Sequence, residues 1–300
     1  MNIRIATAPV SWGVLLKDTP NVPPWQQCVR EIAAAGYTGM ELGPYGYLPQ
    51  DIPMLRDFLS QLGLQVMGAF TIVNLIDPEA QPDEYEETLK TCQVIAALGS
   101  EWVILSDSLF VAPIRKERHG RIRPQDGMSD DEWRSFTANA DAFAQRVWQE
   151  FGLRTAFHTH VGGWVETPAE VDRFLTETDP NLIHYCLDTA HTAYGGEDPV
   201  DTLRRWGARI RYLHIKECDD RVLQEVRANE WDYFRAVEEG VFPELGCGSV
   251  DFAALLASLT ELDFAGWATV EQDILPDTGA VPIASARRNL AYLRQLGYTD

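Results

Sequence analysis

The chain has 300 residues, of which 45% are hydrophobic and 23% charged, and it carries a formal net charge of −20 with an isoelectric point near 4.6. This composition is typical of a globular protein, while the acidic balance argues against the basic surface that binding to a nucleic-acid backbone requires. No apolar run approaches the roughly 20 residues that cross a membrane, so we expect neither a nucleic acid nor a membrane as partner.

The first half of the chain alternates between strand-like and helix-like segments. Short apolar runs bounded by turn residues predict buried strands, and the segments between them show the spacing of helices with one apolar face. The apolar face of the first helix consists of Trp25, Cys28, Val29, Ile32 and Ala33. Gly36 ends this helix. The predicted strands are residues 3–8, 37–42, 64–70 and 102–105, and the later helices cover about 53–62 and 83–98.

The second half continues the alternation after a long polar segment, residues 107–128. Two capping boxes, Ser129 with Glu132 and Thr167 with Glu170, predict helix starts. The predicted strands are residues 153–160, 183–188, 210–215 and 266–272, and the later helices cover about 199–206, 252–259 and 281–296. A second long segment, residues 217–248, separates the last two units and has a partly helical pattern.

Eight strand–helix units predict an α/β protein with a (β/α)8 TIM barrel. No change in composition marks a boundary, so we expect one domain over residues 1–300. The long segments at about 107–128 and 217–248 are expected to lie over the C-terminal face of the barrel, where the chemistry of such enzymes is found.

Polar side chains collect where the last four predicted strands end. They are His158 and His160, Asp188 and His191, His214 and Lys216, and Glu271 and Asp273. Two imidazoles and two carboxylates suit a divalent transition metal such as Mn, Co, Zn or Fe. His158 and His160 point to the same side of their strand, so either could be the ligand while the other reaches the substrate. Such an ion would stabilise the enediolate formed when a proton is removed beside a carbonyl.

Other histidines, a cysteine and a basic segment receive structural interpretations. His184 is interpreted as a hydrogen-bonded structural residue near the barrel floor, Cys186 as part of the core, and His119 as exposed to solvent in a charged loop. A cluster of basic residues is interpreted as a solvated loop, and the alternative is a lid that favours an anionic or phosphorylated substrate. These basic residues are Arg115, Lys116, Arg118, Arg121 and Arg123.

Several short motifs resemble those of the inosose dehydratases, which dehydrate 2-keto-myo-inositol within the xylose isomerase-like barrel superfamily. The opening Ala-Pro-Val-Ser-Trp-Gly-Val at residues 8–14 is one, and Phe-His-Thr-His-Val-Gly at 157–162 is another. Further matches lie at residues 36–43, 165–167, 187–191, 214–216, 266–267 and 271–273. The resemblance covers nearly the whole chain in order.

This resemblance implies a metal site formed by the strand-five position with Asp188, His214 and Glu271. We take His158 for the strand-five ligand, with His160 and Glu166 as alternatives. The implied ion is divalent Mn, Co or Zn, and the implied substrate is a keto-polyol such as 2-keto-myo-inositol.

The implied reaction needs a base and an acid beside the metal. His160 or Glu166 would remove the proton beside the carbonyl, and His191 or Lys216 would protonate the departing β-hydroxyl. A solvated lysine is the alternative for Lys216.

Two residues on earlier strands are expected to contact the substrate. Trp12 would form the floor of a sugar site, or alternatively plug the barrel mouth. Glu41 ends the second predicted strand, where it would contact the substrate. The alternative is that it forms a salt bridge to a neighbouring strand.

Other functions stay open on the sequence. A sugar or sugar-phosphate isomerase or epimerase would share the first half of the mechanism, and a sugar-binding protein without turnover would use the same pocket. A metal-dependent nucleic-acid enzyme resembling endonuclease IV is disfavoured by the charge of −20. The five cysteines have no paired spacing and the chain opens directly with a strand pattern, so we expect a cytoplasmic protein, and a homo-oligomer is compatible with the sequence.

Overall fold

The computed structural model describes residues 2–276, 279 and 281–298, and its centre is a parallel sheet. The strands are β1 Asn2–Thr7, β2 Gly39–Glu41, β3 Gln65–Gly68, β4 Phe70–Val73, β5 Trp102–Asp107, β6 Arg154–His158, β7 Ile183–Asp188, β8 Ile210–Ile215 and β9 Ala265–Val270. The order around the sheet is β3-β2-β1-β9-β8-β7-β6-β5-β4, and each strand pairs with its neighbours in parallel.

The two ends of this sheet belong to one stretch of chain. Only Ala69 separates β3, which pairs with β2, from β4, which pairs with β5, and the Ala69 carbonyl accepts a hydrogen bond from Ile104 N at 3.0 Å. The ring therefore has eight strand positions, and the predicted (β/α)8 barrel is confirmed.

Helices surround the barrel and connect its strands. They are α1 Trp25–Ala35, α2 Ile52–Gln61, α3 Pro82–Ala97, α4 Pro113–Arg118, α5 Asp130–Phe151, α6 Pro168–Glu177, α7 Thr189–Gly195, α8 Pro199–Trp206, α9 Asp220–Asn229, α10 Tyr233–Glu238, α11 Phe252–Glu261 and α12 Pro282–Leu296. Both predicted capping boxes form: Ser129 and Thr167 each accept the N–H of the residue three positions later. In the described part of the chain no helix combines the length and the apolar composition needed to cross a bilayer.

Local structure departs from the prediction after two strands. The fifth predicted strand stops at His158, because the chain then turns and Gly163 N donates to the His160 carbonyl at 3.0 Å. The residues after Asp188 form the unpredicted helix α7, whose first N–H groups are capped by the Asp188 side chain. Both changes occur at the C-terminal ends of strands, where turn and capping hydrogen bonds replace those of the ladder.

The two long segments contain short helices and share a second apolar cluster. Residues 107–128 include α4 and a 3₁₀ turn at Pro124–Asp126, and residues 217–248 include α9 and α10. Their apolar side chains pack with those following β6 and β7, with Phe110 and Tyr233 rings 5.1 Å apart. One folding unit over residues 1–300 stays a prediction.

The interior of the barrel is filled from its N-terminal end. Side chains that alternate along the strands form one layer there, and it comprises Ala6, Met67, Trp102, Ile104, Ala156, Cys186, Tyr212 and Trp267. The predicted burial of Cys186 is therefore confirmed. Because strand side chains alternate, the inward positions two residues further along carry the candidate functional groups.

Candidate metal and substrate site

Four neighbouring strands present the candidate ligands above the apolar layer. His158, Asp188 and His214 lie two residues after the layer members Ala156, Cys186 and Tyr212, so they point into the same interior. Asp188 is paired in register with His214. Glu271 directly follows β9, and its N–H donates to the Ile215 carbonyl at 3.1 Å, which continues the pairing.

Their donor atoms form one buried cluster. Asp188 Oδ2 lies 3.4 Å from His158 Nε2 and 3.8 Å from His214 Nδ1, and Glu271 Oε2 lies 3.3 Å from His214 Nδ1. Ligand atoms about 2.1 Å from one tetrahedral ion are about 3.4 Å apart. Three of the separations among the four predicted ligands are therefore close to those around one transition-metal ion.

Unpartnered ring nitrogens support this fit. His214 Nδ1 is buried without a hydrogen-bond partner among the described residues, and it faces the two carboxylates. The other nitrogen, Nε2, lies 2.8 Å from Glu41 Oε1. His158 Nδ1 also lacks a partner in this part of the molecule. A cation bound by the two carboxylates and by His214 Nδ1, once that nitrogen is deprotonated, would satisfy groups that are costly to bury alone.

Two smaller residue sets also lie close enough to share an ion. One contains His158, Asp188 and His191, and the other contains Glu41, His214 and Glu271. The four predicted ligands include two residues from each set. The donor atoms in this cluster could therefore bind an ion in more than one combination.

Lys216 places a positive charge beside this cluster. Its Nζ lies 3.0 Å from Glu271 Oε2, 3.0 Å from Asp273 Oδ1 and 3.6 Å from Asp188 Oδ2. Burial opposes its charge, but Asp273, Glu271 and Asp188 outweigh burial and raise the pKa of Lys216 well above its usual value. Lys216 is 2% exposed, so it is not the solvated lysine of the alternative interpretation.

The same charges act on the acidic ligands. Burial alone would raise the pKa of Glu271, yet His214 and Lys216 lower it well below its usual value. Burial likewise opposes ionisation of Asp188, and Lys216 followed by His158 lowers its pKa. Both carboxylates are therefore held in the charged form that binds a cation.

His160 and His191 lie side by side next to the cluster, with ring centroids 3.8 Å apart and ring planes inclined by 38°. The His160 Nδ1–H donates to the Val161 carbonyl at 2.7 Å, which leaves Nε2 with the lone pair. Burial, then the charges of His158 and Lys216, lower the pKa of His160 to about 3. His191 Nε2 lies 3.4 Å from Lys216 Nζ, and burial followed by its charged neighbours lowers the pKa of His191 well below its usual value.

Glu166 is placed against the long segment 107–128. Its two oxygens accept the N–H groups of Gly120 at 2.6 Å and Gly162 at 2.7 Å. Burial raises its pKa to about 7, although Arg115 and the two backbone donors act in the opposite direction. These contacts tie the segment to the loop after β6.

The two residues predicted to contact substrate are buried in polar contacts. Trp12 is 3% exposed and its Nε1–H donates to Glu31 Oε2 at 2.8 Å. Glu41 is 1% exposed and accepts hydrogen bonds from His214 and from the Tyr212 hydroxyl, the latter at 3.1 Å. Glu41 thus reaches a strand across the barrel.

Sequence reasoning missed the residues that cover this site. The Tyr233 hydroxyl donates to Asp273 Oδ2 at 2.6 Å, and its ring lies 5.6 Å from that of His160. Phe242 lies 5.5 Å from His191 and its face lies 5.5 Å from Lys216 Nζ. Asp273 stood beside Glu271 in a recognised motif, but Tyr233 and Phe242 come from the long segment 217–248, where no sequence pattern indicates their position.

Two interpretations of the segment 107–128 are wrong. His119 is buried, not solvent-exposed, because its Nδ1 pairs with the Tyr194 hydroxyl at 2.8 Å beneath α9 and α10. Arg115 is 1% exposed and forms a bidentate pair with Glu170, so the basic cluster is not simply a solvated loop.

Comparisons with known proteins agree with the fold. A family model described as "Xylose isomerase-like TIM barrel" matches residues 29–296. The chain is 33% identical to an inosose dehydratase of Geobacillus kaustophilus over 98% of this chain and 94% of that protein. It is 31% identical to the rhizopine catabolism protein MocC of Rhizobium meliloti, over 96% and 86% respectively. A solved structure of the IOLI protein with a binding zinc atom superimposes with a TM-score of 0.71 at 14% identity, covering 98% of this chain and 97% of that one.

Proposed function

The chain belongs to the xylose isomerase-like TIM barrel family, and we propose that it is a metal-dependent hydro-lyase that dehydrates a keto-polyol such as 2-keto-myo-inositol. The observation that carries the proposal is the buried cluster of two imidazoles and two carboxylates, with Lys216 and the His160–His191 pair beside it. The similarity to inosose dehydratases over almost the full chain supports dehydration as the reaction class.

The metal ligands in this proposal are His158, Asp188, His214 and Glu271. Mixed nitrogen and oxygen donors favour Mn, Co or Zn over Ca or Mg. When bound, the ion supplies positive charge for the oxyanion that develops as a proton is removed beside a carbonyl.

His160 is the better placed of the two candidate bases. Its Nδ1–H is occupied by the Val161 carbonyl, so Nε2 keeps a lone pair beside the cluster. Both oxygens of Glu166 already accept backbone hydrogen bonds. These contacts support His160 as the base and Glu166 as a residue that holds the loops.

Lys216 is the better placed of the two candidate acids. The three surrounding carboxylates keep its ammonium group protonated, while burial keeps His191 neutral. Lys216 Nζ can therefore give a proton to the departing β-hydroxyl, and the His191 Nε2 at 3.4 Å holds the ammonium group in place.

The charge of the site favours an uncharged substrate over a phosphorylated one. Arg115 is paired with Glu170, Arg118 with Asp126, and Arg121 with Glu230. The basic cluster of segment 107–128 is thus largely neutralised within the protein. Phe110, Tyr233 and Phe242 instead provide aromatic surface beside the histidines, which suits the apolar face of a polyol ring.

The test is an assay of purified protein loaded with Mn²⁺, Co²⁺ or Zn²⁺ against 2-keto-myo-inositol and a panel of ketoses. We expect loss of water and a conjugated product that absorbs in the ultraviolet. An isomeric product of unchanged mass would establish an isomerase or epimerase instead. Binding without turnover in every metal would support a sugar-binding protein, and cleavage of abasic DNA would overturn the proposal outright.

A further inference from the structure

The carboxylate of Glu41 meets the His214 imidazole inside the barrel. Glu41 ends β2 and His214 lies on β8, and β1 and β9 stand between these strands in the sheet. The contact is therefore not between adjacent strands but spans the barrel interior. His214 is fully buried and Glu41 is 1% exposed, so water does not compete with this contact.

The contact with Glu41 places a proton on Nε2 of His214. Glu41 Oε1 lies 2.8 Å from His214 Nε2, and this oxygen, which also accepts from the Tyr212 hydroxyl, accepts from the Nε2–H. The Tyr212 hydroxyl donates to the same oxygen at 3.1 Å and also contacts Thr269 Oγ1 at 3.0 Å. Glu41 is thus held in position from the layer below.

The opposite ring nitrogen faces the candidate metal ligands. His214 Nδ1 lies 3.3 Å from Glu271 Oε2 and 3.8 Å from Asp188 Oδ2 and has no hydrogen-bond partner among the described residues. We propose that Glu41 is a positioning residue that holds His214 as the Nε2–H tautomer, so that the Nδ1 lone pair is directed at the ion. This inference rests on the metal site of the proposed function.

The role differs from the substrate contact expected from the sequence. Glu41 Oε1 already accepts two hydrogen bonds, and a carboxylate behind a ligating histidine both orients the ring and increases its basicity. Loss of such a partner lowers metal affinity by about 10- to 100-fold. The competing possibility is that Glu41 itself binds the ion together with His214 and Glu271, which lie close enough to do so.

Nitrogen-15 NMR of the full-length protein loaded with Zn²⁺ separates these roles in the wild type. We expect the His214 Nε2 resonance to show a directly bonded proton and Nδ1 to be the metal-bound nitrogen. A proton on Nδ1, with Nε2 bound to zinc, would overturn the inference and favour Glu41 as a ligand.

Zn²⁺ affinity measured by chelator competition provides the second readout. Glu41→Leu should weaken binding by about 10- to 100-fold, whereas Glu41→Gln should lose less, because its amide oxygen can still accept from Nε2. Tyr212→Phe keeps the Glu41–His214 bond and should change affinity by less than about 3-fold, and Asp107→Asn is the matched control for a buried carboxylate outside the cluster. If Glu41→Leu is unfolded, the tautomer and the Glu41→Gln affinity still decide the question.

The outcomes distinguish this inference from the proposed function. Wild-type protein that binds no Zn²⁺ at the cluster would overturn both. Binding through His214 Nδ1 with unchanged affinity in both Glu41 variants would overturn the role of Glu41 alone and leave the metal site intact.

Discussion

Asp188 serves the fold and the candidate metal site with different oxygens. Its Oδ1 accepts the N–H groups of Ala190 and His191, both at 2.8 Å, and so caps α7. Its Oδ2 faces His158, His214 and Lys216. The first function needs only an acceptor oxygen, whereas the second needs a negative charge, so a substitution can separate them.

We predict that Asp188→Asn, His214→Ala and Glu271→Gln each lower metal content and turnover together. The amide oxygen that Asp188→Asn introduces can keep the cap, so this variant should stay folded in the metal-free form. Metal analysis after dialysis, steady-state rates and urea unfolding are the measurements. His184→Ala is the control, because His184 lies towards the start of β7 against Trp102 and should keep both metal and activity. Full metal occupancy and turnover in Glu271→Gln would show that the strand β9 supplies no metal ligand.

His119 gives a pH dependence of stability that is separate from the metal cluster. Burial, followed by the charge of Arg121, lowers its pKa to about 4 from 6.5. The unfolded chain therefore binds more protons than the folded one between these values. Its contribution to stability is complete above pH 6.5 and is lost as the pH falls towards 4.

We predict that metal-free wild type loses about 2 kcal/mol more unfolding free energy than His119→Asn between pH 7.5 and pH 5. The amide side chain of this variant keeps an acceptor for the Tyr194 hydroxyl but does not titrate. Urea unfolding at the two pH values measures the difference. Equal losses in the two proteins would show that His119 titrates normally in the fold.

At the scale of elements, the sequence predicts the regular parts well because each has a repeated pattern. Alternation along strands placed His158, Asp188 and His214 on one side, and capping boxes located the starts of α5 and α6. Helix α7 was not predicted, although its cap, Asp188, lies at the end of a predicted strand. The contacts of Glu41 and Tyr233 depend on segments far apart in the chain, which no local pattern encodes.

A buried ion pair is among the contacts that hold the segment 107–128 to the barrel. Arg115 donates to both oxygens of Glu170, at 2.8 and 3.0 Å, and to the Gly163 carbonyl at 2.7 Å. Glu170 also accepts the N–H groups of Glu166 and Thr167 at the start of α6. Removing the arginine would leave a partly buried carboxylate without its cation.

We predict that Arg115→Met costs about 3 kcal/mol of unfolding free energy. Adding Glu170→Gln to this variant should recover part of the loss, since the amide keeps the helix cap and removes the unpaired charge. Urea unfolding of the two single variants and the double variant measures the coupling. A double variant less stable than Arg115→Met alone would contradict this account.

At the scale of the whole molecule, the barrel separates packing from chemistry along its axis. The apolar layer near the N-terminal ends fills the interior, and the charged groups lie above it, where the two long segments cover them. The excess negative charge of the site is balanced by Lys216 and by any bound cation. The rigidity of the lower layer therefore fixes the spacing of His158, Asp188 and His214, which stand two residues further along the same strands.

The contact between Gly39 and Trp267 shows how tightly the lower layer is packed. A Cβ added at Gly39 would lie 2.3 Å from Trp267 Cζ3 and 2.8 Å from Cη2, while its backbone is not in the left-handed region. Trp267 is 4% exposed and stacks beneath Arg4, so it has little room to move. An alanine at position 39 would thus displace the ring and strain the strand that presents Glu41.

We predict that Gly39→Ala lowers the unfolding free energy by about 2 kcal/mol through overpacking. Trp267→Phe removes the ring atoms that clash, and the Trp267 Nε1 has no hydrogen-bond partner to lose among the described residues. In Trp267→Phe protein, Gly39→Ala should therefore cost much less than in wild type, giving a coupling of about 1 kcal/mol or more in a double-mutant cycle. Urea unfolding of the four proteins measures it, and additive effects would show that the two positions do not share the space.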